Sequence, residues 1–124
     1  CLIPLTAWAE AEGPKGGKTR SWLSLPDGGL LAAAGVWRDS DEWGRCYSMV
    51  MTEAAGPAAD CHDRMPVIVH PADYDQWLSP ESQAADLKQL LRPFDDEAMR
   101  EHYVTPQMNN PRFELPECIE PITL

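Results

Sequence analysis

Proline and glycine recur so often in this chain that no long helix can form. Twelve Pro and eight Gly interrupt 124 residues, and each removes a helical hydrogen bond or loosens the backbone. What remains between them are short apolar runs, too brief to sustain a 3.6-residue period. "TAWAEAEG" (Thr6 to Gly13) alternates at period two, and "GPKGGKTR" is a Gly-rich turn into "SWLSL". "PDGG" makes a second tight turn into "LLAAAGVW", and "RCYSMVMT" is a further apolar run. This pattern predicts a meander of about four strands. "AAGPAAD" leaves room for one or two helical turns between Thr52 and His62. "MPVIV" reads as another buried strand, and "PADYDQWL" as a helix start. "SQAADLKQLLR" places Leu87, Leu90 and Leu91 on one face of a second short helix. The tail from Pro93 is Pro-rich and acidic, and its "DDE" at 95–97 reads as a solvated helix start rather than a metal site. The expected fold is α+β and mostly β: a compact meander or barrel-like sheet core with a few short peripheral helices, one domain or part of one.

Charge and cysteine usage narrow the function classes. Twenty Asp plus Glu stand against ten Lys plus Arg, a net charge of −10. That balance excludes a nucleic-acid surface spread over the whole chain and leaves room only for a local basic patch. No run reaches the roughly 20 apolar residues of a membrane span, and no signal segment opens the chain. A cytoplasmic protein with no membrane partner is expected. Cys1, Cys46, Cys61 and Cys118 lack the density of a disulfide scaffold, and with His62, His70 and His102 they complete no zinc-ligand spacing. Free thiols, no metal and no other cofactor are expected.

Two places carry titratable groups in suggestive company. On a period-two strand Trp8, Glu10 and Glu12 share one face, while Ala7, Ala9 and Ala11 take the other. Such a face is either a solvated edge covered by one Trp, or a partly desolvated glutamate whose raised pKa lets it carry a proton. His62, in "CHDRMPV", closes a short helix just before a buried strand, where side chains tend to reach a site. Asp63 either orients its ring or caps the turn. Both readings stand on chemistry alone.

Read in order, the motifs bear a family likeness. "CLIP" with a glutamate nine positions after the cysteine, then "TEAAGPAADCHDRMPVIV", then "NNPR", resembles the SOS-response-associated peptidase family, whose members process abasic sites in DNA. The likeness runs from Cys1 to about Pro121, and "HDRMPVI" is its most specific string. It implies a compact, mostly β fold with a few peripheral helices. It also implies that a cysteine at the mature N-terminus offers its α-amine and thiol to the open-ring aldehyde of an abasic site in single-stranded DNA. A thiazolidine ring closes, a durable protein–DNA crosslink, with strand cleavage by β-elimination as a side reaction and self-cleavage as the step that exposes the cysteine. The family's glutamate maps onto Glu10 and its histidine onto His62, the two proton-transfer groups. A threonine that contacts a DNA phosphate maps onto Thr52, and Arg64 is the DNA contact expected beside it. For a DNA-processing enzyme, Arg64 and the basic turn at Lys15, Lys18 and Arg20 belong on the side of Glu10 and His62, with the acidic stretches 39–42 and 95–97 turned away.

The chain also departs from the family pattern. The family's nucleophile belongs to a Met-Cys-Gly-Arg start, whereas Cys1 precedes Leu-Ile-Pro and aligns with an internal, non-catalytic cysteine. Residues 1–124 are therefore expected to be the C-terminal portion of the domain, with the nucleophile and an active-site asparagine in an N-terminal part outside it. The usual "DGFYEW" reads "TAWAEA", and the two threonines before "EAN" are Met51 and Thr52, with Ala55 in place of the Asn. Two other classes compete: a non-enzymatic acidic protein-interaction module that retains the fold, and a metal-dependent hydrolase built on His62, Asp63 and His70.

Overall fold

The computed structural model describes residues 1–94 and 98–124; the expected solvated helix start at 95–97 lies outside the described residues. Strand β1 (Leu2–Leu5) and strand β2 (Ala7–Glu12) follow each other directly but join different sheets. β1 pairs antiparallel with β4 (Leu31–Ser40), which folds back into β5 (Gly44–Met49). β2 forms a hairpin with β3 (Thr19–Ser24), and β3 pairs on its other edge with β8 (Arg100–Val104). A two-stranded ladder joins β6 (Met51–Glu53) to β7 (Arg64–Pro66). Three helices of one turn or little more, α1 (Pro57–Cys61), α2 (Tyr74–Leu78) and α3 (Ala84–Lys88), lie between these strands. The core is thus mostly β and compact, built as small sheets that do not close into a barrel. No helix among the described residues is long and apolar enough to cross a membrane.

The pairing is not that of a simple meander, because β4 pairs with β1 and β5 rather than with β3. The inner half of β4 explains this. Leu31 to Gly35 is buried on both faces, and small side chains there let neighbouring backbone close in. Ala34 N donates to Val67 O at 2.7 Å and Val69 N to Ala32 O at 2.8 Å, so "VIV" lies along β4 although the β7 ladder stops at Pro66. At Gly35 a Cβ would sit 2.7 Å from Cys1 Sγ and 3.0 Å from Ile3 Cδ1, so a larger residue would have to push these side chains aside. Val67 and Val69 pack with Ala34 in one cluster, and Leu23, Ala58 and Met65 form another.

Two expectations are corrected by local chemistry. α3 stops at Lys88 and only Leu90 is buried, while Leu91 is 37% exposed; Pro93 withholds the donor a further turn needs and disfavours a helical Arg92. β8 appears inside the Pro-rich tail, where no strand was expected. Its ladder with β3 completes the sheet that carries Glu10.

Candidate functional site

Register places the titratable groups. In the β2–β3–β8 sheet Glu10 lies opposite Ser21, and Ser21 opposite Tyr103; Trp8 lies opposite Leu23, and Leu23 opposite Glu101. Trp8, Glu10, Glu12, Ser21, Leu23, Glu101 and Tyr103 therefore share one face. α1 lies across that face, with Ala58 packed against Leu23 and Met65 and with Trp8 beside them. Gly56 begins the helix at φ 56, ψ −142, a conformation that favours glycine, and Pro57 supplies the first helical residue. The helix ends at His62, whose backbone is extended and whose N–H donates to Ala58 O at 2.9 Å.

This path brings His62 within electrostatic reach of Glu10, 52 positions away (62 − 10). Burial pushes the Glu10 carboxyl above its ordinary pKa of 4.5, and the His62 ring, the Trp8 indole and the Arg20 guanidinium pull it back in that order. Trp8 Nε1 is buried without a hydrogen-bond partner. Its pull on Glu10 is thus that of a nearby N–H dipole rather than a formed hydrogen bond.

The His62 ring is held at one nitrogen. Nδ1 accepts the Arg64 N–H at 3.0 Å, so the neutral ring keeps its proton on Nε2. A charged ring can instead turn Nδ1–H towards Arg64 O at 3.2 Å or Asp63 Oδ1 at 3.1 Å. Nε2–H is available in both states, on a side chain 47% exposed and open to an incoming group. A carboxyl that holds its proton unusually well beside a histidine with a presented N–H can pass protons to and from a bound reactant.

Thr52 and Arg64 both lie on the neighbouring β6–β7 ladder, where Thr52 pairs with Met65 and Arg64 with Glu53, so their side chains alternate to opposite faces. They line one groove with Met51, Glu53, Ala54 and Asp63, and Arg64 Nη2 donates to Met51 O at 3.4 Å. One guanidinium there faces two carboxylates. Lys15 and Lys18 are exposed on the β2–β3 turn. Arg20 alternates to the opposite sheet face from Glu10 yet still favours its ionised form. The acidic stretch 39–42 sits at the tip of the β4–β5 hairpin, where Arg45 binds Asp39 at 3.1 Å and lies 4.4 Å over the Trp37 ring.

Cys1 is elsewhere. Its amine donates to Gly35 O at 2.9 Å, and its carbonyl accepts Trp77 Nε1–H at 2.7 Å and Gly35 N–H at 2.9 Å, so the residue is an extension of the β1–β4 ladder. All four cysteines are free thiols. The hydrolase trio is not gathered: His70 stacks on Phe94 at 5.4 Å. Among the described residues, the only three metal-ligating side chains with donor atoms within 4.8 Å of one another are Glu12, Cys61 and Glu101. Burial, with help from the Glu101 and Glu12 carboxylates and against the Ser21 hydroxyl, pushes the Cys61 thiol up to about 12. Ser21 and Glu101 escaped the sequence reading. The inward parity of a Ser one step from Leu23 was their only signal.

Fold and site define a small, mostly β domain that keeps a half-buried carboxyl beside a histidine at a helix end. The chain belongs to the SOS response associated peptidase (SRAP) family, whose model matches residues 1–111. It is 32% identical over 127 residues to the abasic site processing protein YoqW of Bacillus subtilis (strain 168), covering 97% of this chain and 56% of that protein. It is 32% identical over 104 residues to the abasic site processing protein HMCES of Mus musculus, covering 77% of this chain and 28% of that protein. A crystal structure of a Bacteroides thetaiotaomicron protein shares the fold with a TM-score of 0.86 at 21% identity, over 99% of this chain and 56% of that one. A Bordetella bronchiseptica protein superposes with a TM-score of 0.73 at 26% identity, over 85% of this chain and 54% of its own. The chain thus spans about half the length of YoqW and of both solved structures.

Proposed function

We propose that residues 1–124 are the C-terminal portion of an abasic-site processing domain, and that the whole protein condenses an N-terminal cysteine with an abasic site in single-stranded DNA. The observation that carries this reading is the pairing of Glu10, held above its ordinary pKa by burial, with the ring of His62. In the step envisaged, the cysteine α-amine attacks the C1′ aldehyde, water leaves as the imine forms, and the thiol adds to the imine carbon to close a thiazolidine. The net change is loss of one water. His62 Nε2–H delivers a proton to the sugar ring oxygen as the ring opens, and Glu10 takes and returns protons at the amine. The same imine supports β-elimination, in which a C2′ proton is lost and the 3′ phosphate departs. Self-cleavage in this reading serves to free the cysteine, and the protein acts in the cytoplasm.

Thr52 and Arg64 are the phosphate contacts, and their groove adjoins His62 through the Arg64 N–H. That Cys1 is locked into the β1–β4 ladder supports a nucleophile supplied from outside residues 1–124. So does the outer half of the β4–β5 hairpin, where Val36 (55%), Trp37 (54%) and Tyr47 (67%) stand exposed, a surface for the remaining part of the domain to cover. The test is incubation of the full-length protein with single-stranded DNA bearing an abasic site. A heat-stable adduct with the summed mass less one water, formed more slowly by His62→Ala, supports the proposal. An unmodified protein that also fails to bind this DNA at low salt would leave the acidic interaction module as the better account.

A further inference from the structure

α1 is five residues long, far too short to be stable by itself, so contacts outside the helix decide where it lies. Its N-cap, Gly56, offers no side-chain hydrogen bond. Ala58 packs into the core. Beyond that, among the described residues a single side-chain hydrogen bond ties α1 to the sheet: Cys61 Sγ–H to Glu101 Oε1, at 3.2 Å. The same oxygen accepts the hydroxyl of Ser21 at 2.6 Å. Ser21 is fully buried and lies directly across the ladder from Glu10, while Cys61 is the residue before His62. One carboxylate oxygen thus joins the strand position opposite Glu10 to the helix end that presents His62.

We infer that Glu101 is a positioning residue: through Ser21 and Cys61 it fixes the separation of Glu10 and His62. The inference rests on the proton-transfer reading of that pair. The thiol is suited to the task, because burial and the Glu101 and Glu12 charges keep it protonated and therefore a donor across the neutral range. Glu12 and Glu101 also raise the Tyr103 hydroxyl on the same face, Glu12 foremost. Glu101 need not meet the DNA. Its effect reaches the reaction through backbone placement, and small misplacements of reacting groups cost rate far more than they cost binding.

The experiment compares Cys61→Ala, Cys61→Ser, Glu101→Ala and the double variant Cys61→Ala/Glu101→Ala in the full-length protein, with His62→Ala as reference. Single-turnover crosslinking to abasic single-stranded DNA is measured at saturating DNA, and DNA affinity separately. Cys61→Ala and Glu101→Ala should each slow the step about tenfold with affinity unchanged, and the double variant should be no slower than the slower single, because both break one contact. Cys61→Ser keeps a donor and should stay within about twofold of the parent. Full rate in Cys61→Ala while His62→Ala is crippled would overturn the inference alone. Equal slowing by Cys61→Ser, or multiplied losses in the double variant, would also overturn it. Full rate in His62→Ala would overturn the proton-transfer reading and this inference with it.

Discussion

Replacing Met65 with alanine in the full-length protein probes whether α1 rests on the core as described. Met65 is 1% exposed and packs with Leu23 and Ala58, with Trp8, Phe94 and Met99 around them. The change deletes Cγ, Sδ and Cε. At about 0.8 kcal/mol per buried methylene-sized group the transfer cost is about 2.4 kcal/mol, and the cavity left behind raises the total to about 3–4 kcal/mol. For a protein of about 150–250 residues this lowers Tm by roughly 6–16 °C. Met65→Leu conserves volume and should cost less than about 1.5 kcal/mol. Urea and thermal unfolding followed by circular dichroism measure both. Since His62 directly follows the helix that this side chain supports, Met65→Ala should also slow crosslinking more than Met65→Leu does. A destabilisation below about 1 kcal/mol for the alanine variant would refute the packing of α1 on this cluster.

Glu10→Gln should stabilise the protein near neutral pH. The folded state raises the Glu10 pKa above 4.5, so the carboxyl contributes stability below 4.5 that is lost as pH rises through its folded value. Urea midpoints at pH 7 should therefore favour the variant, and the gain should vanish at pH 4. Cys61, with its thiol pushed up to about 12, should resist a thiol-disulfide reagent at pH 8 in the folded protein and react once urea unfolds it. Cys1→Ser in the full-length protein should leave the crosslinking rate unchanged, because its backbone amine and carbonyl are engaged in the β1–β4 ladder; loss of the adduct would contradict the assignment of the nucleophile to another cysteine.

The β2–β3 hairpin was legible because Trp8, Glu10 and Glu12 alternate with alanines and "GPKGGKTR" marks the turn; the face they share is the one observed. α1 was legible from its alanines and from Gly56 and Pro57. The pairing of β1 with β4 was not, since nothing in "CLIPL" says which of several apolar runs it meets. β8 was hidden because "REHYV" is charged and surrounded by proline, and it is held as a strand by its ladder to β3 and by Ile122 N–H donating to Tyr103 O. With β8 went Glu101, whose role depends on a partner 40 positions away (101 − 61). Leu91 misled the helix reading because spacing alone ignores where Pro93 stops the turn.

The central claim is that Glu10 and His62 move the protons of an imine-forming reaction, and the pH–rate profile of crosslinking tests it most directly. Single-turnover rates of the full-length protein would be measured against pH beside Glu10→Gln and His62→Ala. The wild-type rate is expected to climb as pH passes the raised Glu10 pKa. That limb should disappear in Glu10→Gln, while His62→Ala should lower the rate across the whole profile and leave the limb in place. A limb that persists in Glu10→Gln, or a His62→Ala variant at full rate, would contradict the account.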